Sequence, residues 1–284
     1  MADRLPDIVA QIQNVRQLEA VVTAMRGIAA SRAQKSRLLL AGIEAYTDVI
    51  SRAIGRALSL LPSDRATASP RRRAKPGLIL FCAEQGFAGA FSERVLDAAA
   101  GDIDNATTLI VGTRGAIIAN ERGIKPVWSA PMAAHVDAIP SFANRLADVL
   151  YGYVGTGAIA AVDIIFPRSV SGSGIRVDRH SLLPIDFQRF AQPIEQQAAL
   201  TTLAPQSLLE RLAAEYLYAQ LCEAAMHAFE AENEARMLAM ASAKTNIAAK
   251  LVGLSLRERQ VRQEEITTEI IELATGAEAQ TRVP

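Results

Sequence analysis

One loop of the chain places two glycines between an apolar run and a helical pattern. Residues 84–91 read EQGFAGAF and follow GLILFCA at residues 77–83. Such a turn can hold a phosphate group, because glycine amides and a helix N-terminus both attract anions. The chain lacks the G-x-x-x-x-G-K-[ST] motif, however, and Gly86 with Gly89 does not make a dinucleotide-binding fingerprint. The sequence therefore favours a tight strand-to-helix turn over a nucleotide site.

The other reactive side chains are too isolated in sequence to predict a catalytic or metal site. His135, His180 and His227 are isolated from one another and form no helical pair, unlike typical metal ligands. Cys82 and Cys222 are far apart, which argues against a disulfide framework and favours a reducing compartment. We expect Cys82 to be a small buried residue. The sequence predicts neither a catalytic residue nor a cofactor.

The overall composition limits the class of partner. The chain has 284 residues, 50% of them hydrophobic, and a formal net charge of zero. This balance argues against nucleic acid as a partner, because phosphate backbones are bound by a surplus of Lys and Arg. No apolar run approaches the ~20 residues of a membrane span, and the N-terminus resembles neither a signal peptide nor a presequence. We expect a soluble protein that associates with a membrane only through partners.

The N-terminal part of the chain, residues 1–62, has the pattern of one long helix. After Pro6, apolar or small residues recur at steps of three and four, the period of a left-handed coiled coil. At 1.5 Å per residue the helix would be roughly 80 Å long. The positions predicted to be buried are Ile8, Ile12, Val15, Leu18, Val22, Met25, Ala29, Ala33, Ser36, Leu40, Ile43, Thr47, Ile50, Ile54, Ala57 and Leu61.

A polar segment follows this helix. Residues 63–76 end at a proline, follow another, and include Arg71, Arg72 and Arg73. We expect this segment to be a solvent-exposed linker. Contact of the arginines with an acidic partner or with lipid headgroups is the alternative, and no other feature of the sequence selects it.

Residues 77–190 have the pattern of a small α/β domain. Short apolar runs such as residues 77–83 and 107–115 alternate with helical patterns such as residues 141–153. Strands that alternate with helices are typical of a Rossmann-like layer domain with a parallel sheet. Two further strands are predicted on either side of SGSG at residues 171–174, and we expect them to pair antiparallel.

A second long helix is predicted over residues 204–276. It begins near Pro205 and ends at Gly276, because glycine is common at helix C-termini. Many of its predicted buried residues are small, so we expect the two long helices to approach closely. These positions are Leu217, Leu221, Ala224, Ala228, Ala231, Ala235, Leu238, Ser242, Thr245, Ala249, Val252 and Leu256, with Ile266, Ile270 and Leu273 continuing one apolar stripe.

The order of these segments predicts an antiparallel coiled coil on an α/β foot. If the central domain lies where the first helix ends and the second begins, the second helix runs back along the first. The second helix is longer by roughly 25 Å, so about its last sixteen residues should extend as a single helix. Such a lopsided shaft is suited to insertion into another protein.

Three blocks of the sequence resemble the gamma subunit of F-type ATP synthases. They are IQNVRQLEAVVTAMRGIAASR at residues 12–32, ENEARMLAMASAKTNIAAKL at residues 232–251 and RQVRQEEITTEIIELATGAEA at residues 259–279. The loop at residues 84–91 is a weaker match, since it keeps Gly86 and Gly89 of the family pattern but lacks its arginine and asparagine. The resemblance thus covers both ends of the chain.

This resemblance implies a non-catalytic central rotor shaft. The coiled coil would pass through a hexameric ring of alpha and beta subunits, and the foot would meet the epsilon subunit and the membrane c-ring. The shaft would couple ion flow across the membrane to ATP synthesis or hydrolysis on the beta subunits. As a peripheral subunit, it would lie at the cytoplasmic face of the cell inner membrane.

The resemblance also implies which residues contact the alpha/beta hexamer. Arg262, Gln263 and Thr267 would contact loops of the surrounding subunits near the tip of the shaft. Met25 and Arg26 would face the moving parts of the beta subunits. From the residues alone, Arg262 is a solvated surface charge and Met25 is ordinary coiled-coil packing. The full predicted set is Met25, Arg26, Arg236, Met237, Met240, Arg262, Gln263, Thr267 and Glu269.

Two other classes of function compete with the rotor shaft. A static coiled-coil scaffold or adaptor would self-associate through equal, registered helices. A stand-alone nucleotide-dependent enzyme would need phosphate-binding residues that the loop motifs do not supply.

Overall fold

Two long helices flank an α/β domain in the described part of the chain. The computed structural model describes residues 4–61, 75–170, 172, 174–190 and 201–281. The helices are α1 (Leu5–Ser59), α2 (Phe91–Ala99), α3 (Thr113–Glu121), α4 (Ile139–Gly155) and α5 (Pro205–Thr281), with 3-10 turns at Ile103–Asn105, Val136–Ala138 and Phe187–Phe190. The strands are β1 (Lys75–Phe81), β2 (Thr107–Val111), β3 (Trp128–Ala130), β4 (Ile159–Val170) and β5 (Gly174–Leu183). The predicted fold class is confirmed.

The predicted linker overlaps the start of the sheet. Its residues 63–74 lie outside the described residues, and so do the three arginines within them. Its last two residues, Lys75 and Pro76, instead begin β1. The pairing of β1 with β4 shifts register between Lys75 and Gly77. Pro76 is tolerated at this irregularity and at the start of the strand, because the ladder does not need there the N–H that proline lacks.

The second long helix continues further than predicted. α5 passes Gly276 and ends at Thr281, because a glycine weakens a helix by about 1 kcal/mol without having to end it. In the predicted turn at residues 171–174, Ser171 and Ser173 lie outside the described residues. The subdivision of the chain at residues 62, 77, 190 and 204 stays a prediction.

The chain divides into two compact units. The first unit consists of Met1–Ile28 and Met237–Pro284. The second unit consists of Ala29–Arg236 and contains the whole sheet.

The sheet of the second unit is mainly parallel, as predicted. Its strand order is β3-β2-β1-β4-β5. β1 pairs in parallel with both β2 and β4, and β2 pairs in parallel with β3. β4 and β5 form the predicted antiparallel pair. β1 therefore lies at the centre of the sheet, with β2 and β3 on one side and β4 and β5 on the other.

Successive side chains of β1 enter two different cores, because neighbouring residues in a strand point to opposite faces. Ile79 and Phe81 pack with α4 and with Leu221 and Phe229 of α5. Leu80 packs on the other face, against α2 and α3. The middle of α5 thus serves as a core helix of the α/β domain.

Close packing fixes the backbone at the end of β1. Gly112 has a φ of +108°, and a Cβ there would lie 2.4 Å from the carbonyl oxygen of Cys82. A Cβ on Gly115 would lie 2.0 Å from the Cβ of Cys82. Cys82 is buried as expected, and burial raises the pKa of its thiol to about 12. The first turn of α3 is therefore held directly against the end of β1.

In the second unit, α1 and α5 run antiparallel. Ile54, near the end of α1, packs in one cluster with Leu209, near the start of α5. Further back along α1, the hydroxyl of Ser36 donates to the carbonyl of Met226 over 3.3 Å.

In the first unit the two helices are again antiparallel, but the contact surface of α5 is not the predicted one. The predicted positions Leu238, Ser242, Thr245, Ala249, Val252 and Leu256 are all exposed. The observed seam is Met240, Ile247, Leu251, Leu254 and Val261 of α5 against Ile8, Ile12, Val15, Val22 and Met25 of α1. The two sets are two residues out of step, about 200° around a helix. Leu18 is also outside the seam, with 52% exposure.

The small residues that were predicted to line this seam do not line it. Ser242, Thr245 and Ala249 are exposed, and the seam combines large apolar residues with the half-buried Ala239 and Ala243. The wrong face was predicted for a physical reason. Between Leu217 and Arg236, α5 is buried on nearly every side, so extending the spacing of its apolar residues does not show which face is buried beyond Arg236.

Candidate functional site

A group of polar side chains lies within the second unit on one short stretch of α5. We call Glu230, Glu232, Asn233, Glu234 and Arg236 the polar junction; all but Glu234 are at most 5% exposed. A buried charge costs several kcal/mol unless it is paired and hydrogen-bonded. The partners of the polar junction therefore show what this part of α5 holds in place.

Glu232 binds the loop that the sequence identified as an anion-binding candidate. One carboxylate oxygen accepts the backbone N–H of Glu84 at 3.0 Å, and the other accepts that of Gln85 at 3.2 Å. These amides follow directly after β1, at the carboxyl edge of the sheet. A carboxylate of the same chain thus occupies the position that an anionic ligand would take.

Arg236 binds the same loop from the next turn of α5. Its guanidinium pairs with Glu232 at 2.5 Å and donates to the carbonyls of Gln85 and Gly86 at 3.4 and 3.3 Å. The resemblance placed Arg236 at an interface with other subunits. The structure instead buries it, and its donors are directed at groups of this chain, so Arg236 leaves the set of contact candidates.

Glu84 joins three loops at the carboxyl edge of the sheet. Its carboxylate accepts the backbone N–H of Thr113 at 2.9 Å, the hydroxyl of Thr113 at 2.9 Å and the N–H of Met132 at 2.8 Å. Thr113 begins α3, where a negative charge is stabilised by the helix dipole. The loops after β1, β2 and β3 are therefore tied to one side chain.

Little space remains around these two carboxylates. A cavity of about 20 Å³ is lined by residues that include Arg32, Glu84, Phe229 and Glu232. Such a volume holds about one water molecule. The loop at residues 84–91 is a strand-to-helix turn whose anion position is filled from within.

The opposite side of the polar junction contacts α1 and β4. Arg37 of α1 donates to Glu230 at 2.6 Å and to Glu234 at 2.8 Å. The hydroxyl of Ser169 in β4 also donates to Glu234. One stretch of α5 is therefore bound to α1, to β4 and to the loop after β1.

The first unit has a different feature, an apolar stripe on the exposed side of α5. We call Leu238, Val252, Leu256, Ile266, Ile270 and Leu273 the outer stripe. All six are at least half exposed, from 50% at Ile266 to 74% at Leu273. Beyond Val261, every described side chain up to Thr275 is exposed, as predicted for a single helical extension. Exposed apolar patches of this kind mark interaction surfaces.

The remaining candidate contact residues fall into two groups. Met25 and Met240 pack together in the seam of the first unit, and Met240 is only 4% exposed. Met237 is half-buried, whereas Arg26, Gln263, Thr267 and Glu269 are exposed.

Arg262 lies exposed at the start of the extension. Its guanidinium pairs with Glu258, one helical turn earlier, at 2.8 Å. Surface pairs of this kind contribute about 0–1 kcal/mol, so this pair holds Arg262 only weakly.

His227 is a buried residue of α5 that the sequence left unassigned. Its ring stacks on Phe166, with centroids 5.9 Å apart, and its Nδ1 has no hydrogen-bond partner among the described residues. Burial lowers the pKa of His227 to about 4, and the charges of Arg168 and His180 act in the same direction. His227 is thus a neutral core residue at neutral pH.

None of the described helices combines the length and apolarity needed to cross a bilayer.

Solved structures with the same fold come from ATP synthases. A chain of the Euglena gracilis mitochondrial ATP synthase in rotational state 3 matches with a TM-score of 0.67 at 11% identity, covering 99% of this chain and 96% of that chain. A chain of the rotor of the same enzyme in rotational state 1 matches with a TM-score of 0.62 at 11% identity, covering 92% and 98%. The chain therefore shares the fold of these two ATP synthase chains.

Sequence comparison identifies the family. The ATP synthase gamma chain of a Sulfurihydrogenibium species is 23% identical over 96% of this chain and 97% of its own length. The family model described as ATP synthase matches residues 4–280. The chain belongs to the ATP synthase gamma-chain family, and the resemblance seen in the sequence is confirmed.

Proposed function

We propose that this chain is the central rotor shaft of an F-type ATP synthase. It turns within a hexamer of alpha and beta subunits and meets the epsilon subunit and the membrane c-ring. The chain itself is non-catalytic, and rotation couples ion flow to ATP synthesis or hydrolysis on the beta subunits. The complex holds it at the cytoplasmic face of the cell inner membrane.

The outer stripe is the observation that carries this proposal. It places six aliphatic or large apolar side chains on the exposed side of a helix that has no core of its own beyond Val261. Burying each such side chain stabilises a complex by roughly 1.5–3 kcal/mol. A surrounding sleeve of partner subunits supplies this burial along the whole stripe.

The two faces of the extension explain how a rotor would act on its partners. Ile266, Ile270 and Leu273 lie on one face, while Glu264, Glu272 and the exposed Ile271 lie around the helix from them. A beta subunit therefore meets a mainly apolar face at one angle of rotation and a mixed face that carries charges at another. Reversing a two-state equilibrium from 1:99 to 99:1 requires about 5.5 kcal/mol of differential contact. Several apolar side chains supply energy of this order.

Exposed residues of the first unit are the proposed contacts with the hexamer. Arg262 suits a paired contact, because a guanidinium presents donors in a planar fork that matches a carboxylate. Met240 is buried and supports this surface from the seam, whereas Met25 is half-buried, like Met237. The proposed contact set is Met25, Arg26, Met237, Arg262, Gln263, Thr267 and Glu269, together with the outer stripe.

Reconstitution tests the proposal. The chain, purified alone, is expected to be a monomer without ATPase activity. Mixed with alpha and beta subunits of the same source, it is expected to yield a stable complex that hydrolyses ATP. Failure to co-assemble would contradict the rotor assignment. A stable homodimer by light scattering would favour the static scaffold instead.

A further inference from the structure

The polar junction connects α5 to its surroundings on two opposite sides within the second unit. Glu230 and Glu234 are separated by about one helical turn and face the same side, and Glu232 and Arg236 lie about 200° around the helix. The first pair is bound by Arg37, and the second pair is bound to the loop after β1. Charged contacts thus act on both sides of the same helical turn.

Directional contacts restrain a helix differently from apolar packing. Apolar burial is proportional to area and has no preferred direction, so it permits small rotations of a helix about its own axis. Hydrogen bonds weaken steeply as the donor angle departs from linearity, and charge-assisted ones are roughly twice as strong as neutral ones. Opposed contacts of this kind resist rotation of α5 in either direction.

We infer that the polar junction is a rotational lock between α5 and the α/β sheet. Glu232 is a positioning residue whose carboxylate fills the amide cradle formed by Glu84 and Gln85. Arg37 supplies the opposing contact from α1. This inference rests on the proposed function, because a rotor shaft must pass torque between its sheet domain and its long helix without slipping.

A local measurement tests the cradle in the isolated chain. Replacing Glu232 by Ala removes a CH₂–COO⁻ group, which has the size and charge of acetate. Hydrogen exchange at the amides of Glu84 and Gln85 is expected to accelerate about tenfold or more in E232A, since a hydrogen bond to a charged group is lost. Sodium acetate, compared with sodium chloride at equal ionic strength, is expected to slow this exchange again. L221A, which removes a buried apolar side chain of the same helix, should show no acetate response.

A second measurement tests the lock in the assembled enzyme. The number of ions pumped per ATP hydrolysed is measured in vesicles containing the whole complex. E232A is expected to lower this ratio at least threefold, because charged hydrogen bonds that hold the helix are lost and each accounts for roughly tenfold or more. Acetate is expected to restore the ratio. R37M, which keeps the length of an exposed side chain, should also lower the ratio without responding to acetate.

The outcomes separate this inference from the proposed function. If the unaltered chain assembles and pumps while both E232A and R37M remain fully coupled, the lock is wrong and the rotor assignment stands. If E232A loses coupling but neither exchange nor pumping responds to acetate, the cradle role of Glu232 is also wrong. If the unaltered chain does not assemble with alpha and beta subunits, the rotor assignment itself fails.

Discussion

The same helix, α5, has opposite surroundings in the two units. In the second unit, its residues from Leu217 to Arg236 are almost all buried, and that burial includes charged side chains with defined partners. In the first unit, α5 buries one narrow seam and exposes the outer stripe. Buried charges specify one arrangement, whereas exposed apolar residues require a partner. The contacts of the second unit hold α5 in one arrangement, whereas the outer stripe of the first unit is suited to burial by a partner.

The largest expected effect comes from removing the exposed part of α5. A chain ending after Leu256 loses the single helical extension and three residues of the outer stripe, so we expect it to lose rotation and most of its assembly with alpha and beta subunits. Co-purification and single-molecule rotation provide the measurement. The control replaces Arg71, Arg72 and Arg73 by Ala, and a larger defect in the control than in the truncated chain would contradict this prediction.

Two glycine substitutions compare the packing of the units. G115A in the second unit forces a Cβ to within 2.0 Å of the Cβ of Cys82, and overpacking of this kind costs about 1–3 kcal/mol or more. The matched change in the first unit is G253A, whose Cβ would meet nothing within 4 Å. It should stabilise the helix by about 1 kcal/mol. Thermal unfolding of the isolated chain measures both effects. Equal shifts of the melting temperature in G115A and G253A would show that the two units do not differ in packing at these glycines.

A pair of apolar substitutions separates stability from binding. I270S changes an exposed residue of the outer stripe, so the free energy of unfolding of the isolated chain should change by no more than about 0.5 kcal/mol. Its affinity for the alpha/beta hexamer should fall about tenfold, from the lost burial of one isoleucine. L221A should do the reverse and destabilise the chain by about 2–5 kcal/mol. An I270S chain that binds normally would argue against burial of the stripe.

A pH dependence is expected in the second unit. Burial lowers the folded-state pKa of His227 to about 4, below its usual value near 6.5. The unfolded chain therefore takes up the proton first, and this group's contribution to stability is full above pH ~6.5 and is lost as the pH falls towards 4. Asp178 opposes the shift, and Arg168 and His180 reinforce it.

The variant H227F isolates this contribution, because phenylalanine keeps a ring to stack on Phe166. Its melting temperature should fall less than that of the unaltered chain between pH 6.5 and 4. Parallel curves for the two proteins would show that His227 does not set this dependence.

The sequence predicted the elements of the fold better than their contacts. Unbroken helical periods and alternating apolar runs were sufficient for the two long helices and the parallel sheet, because both patterns are local. The predicted contact surface of α5 beyond Ala235 was wrong. The preceding part of α5 is buried on nearly all sides, so its residues do not single out one buried face. Leu238 and Val252 were consequently assigned to the wrong face.

The candidate site was visible in the sequence only in part. The sequence favoured a strand-to-helix turn over an anion site for the glycine loop, and the residue that accepts from its amides, Glu232, lies 148 residues beyond Glu84. No local pattern links two positions so far apart. Arg236 was noticed through family resemblance, yet a motif does not reveal whether a charged residue faces a partner or its own chain. Glu84, an acidic residue that follows a predicted buried strand, was a local signal that could have indicated how the loops after β1, β2 and β3 are tied together.

Single-molecule rotation tests the central claim most directly. The complex of this chain with alpha and beta subunits is fixed to a surface through the beta subunits, and a bead is attached to the second unit. On addition of ATP, the account predicts stepwise rotation of the bead in one direction. A complex that hydrolyses ATP while the bead stays still would contradict it.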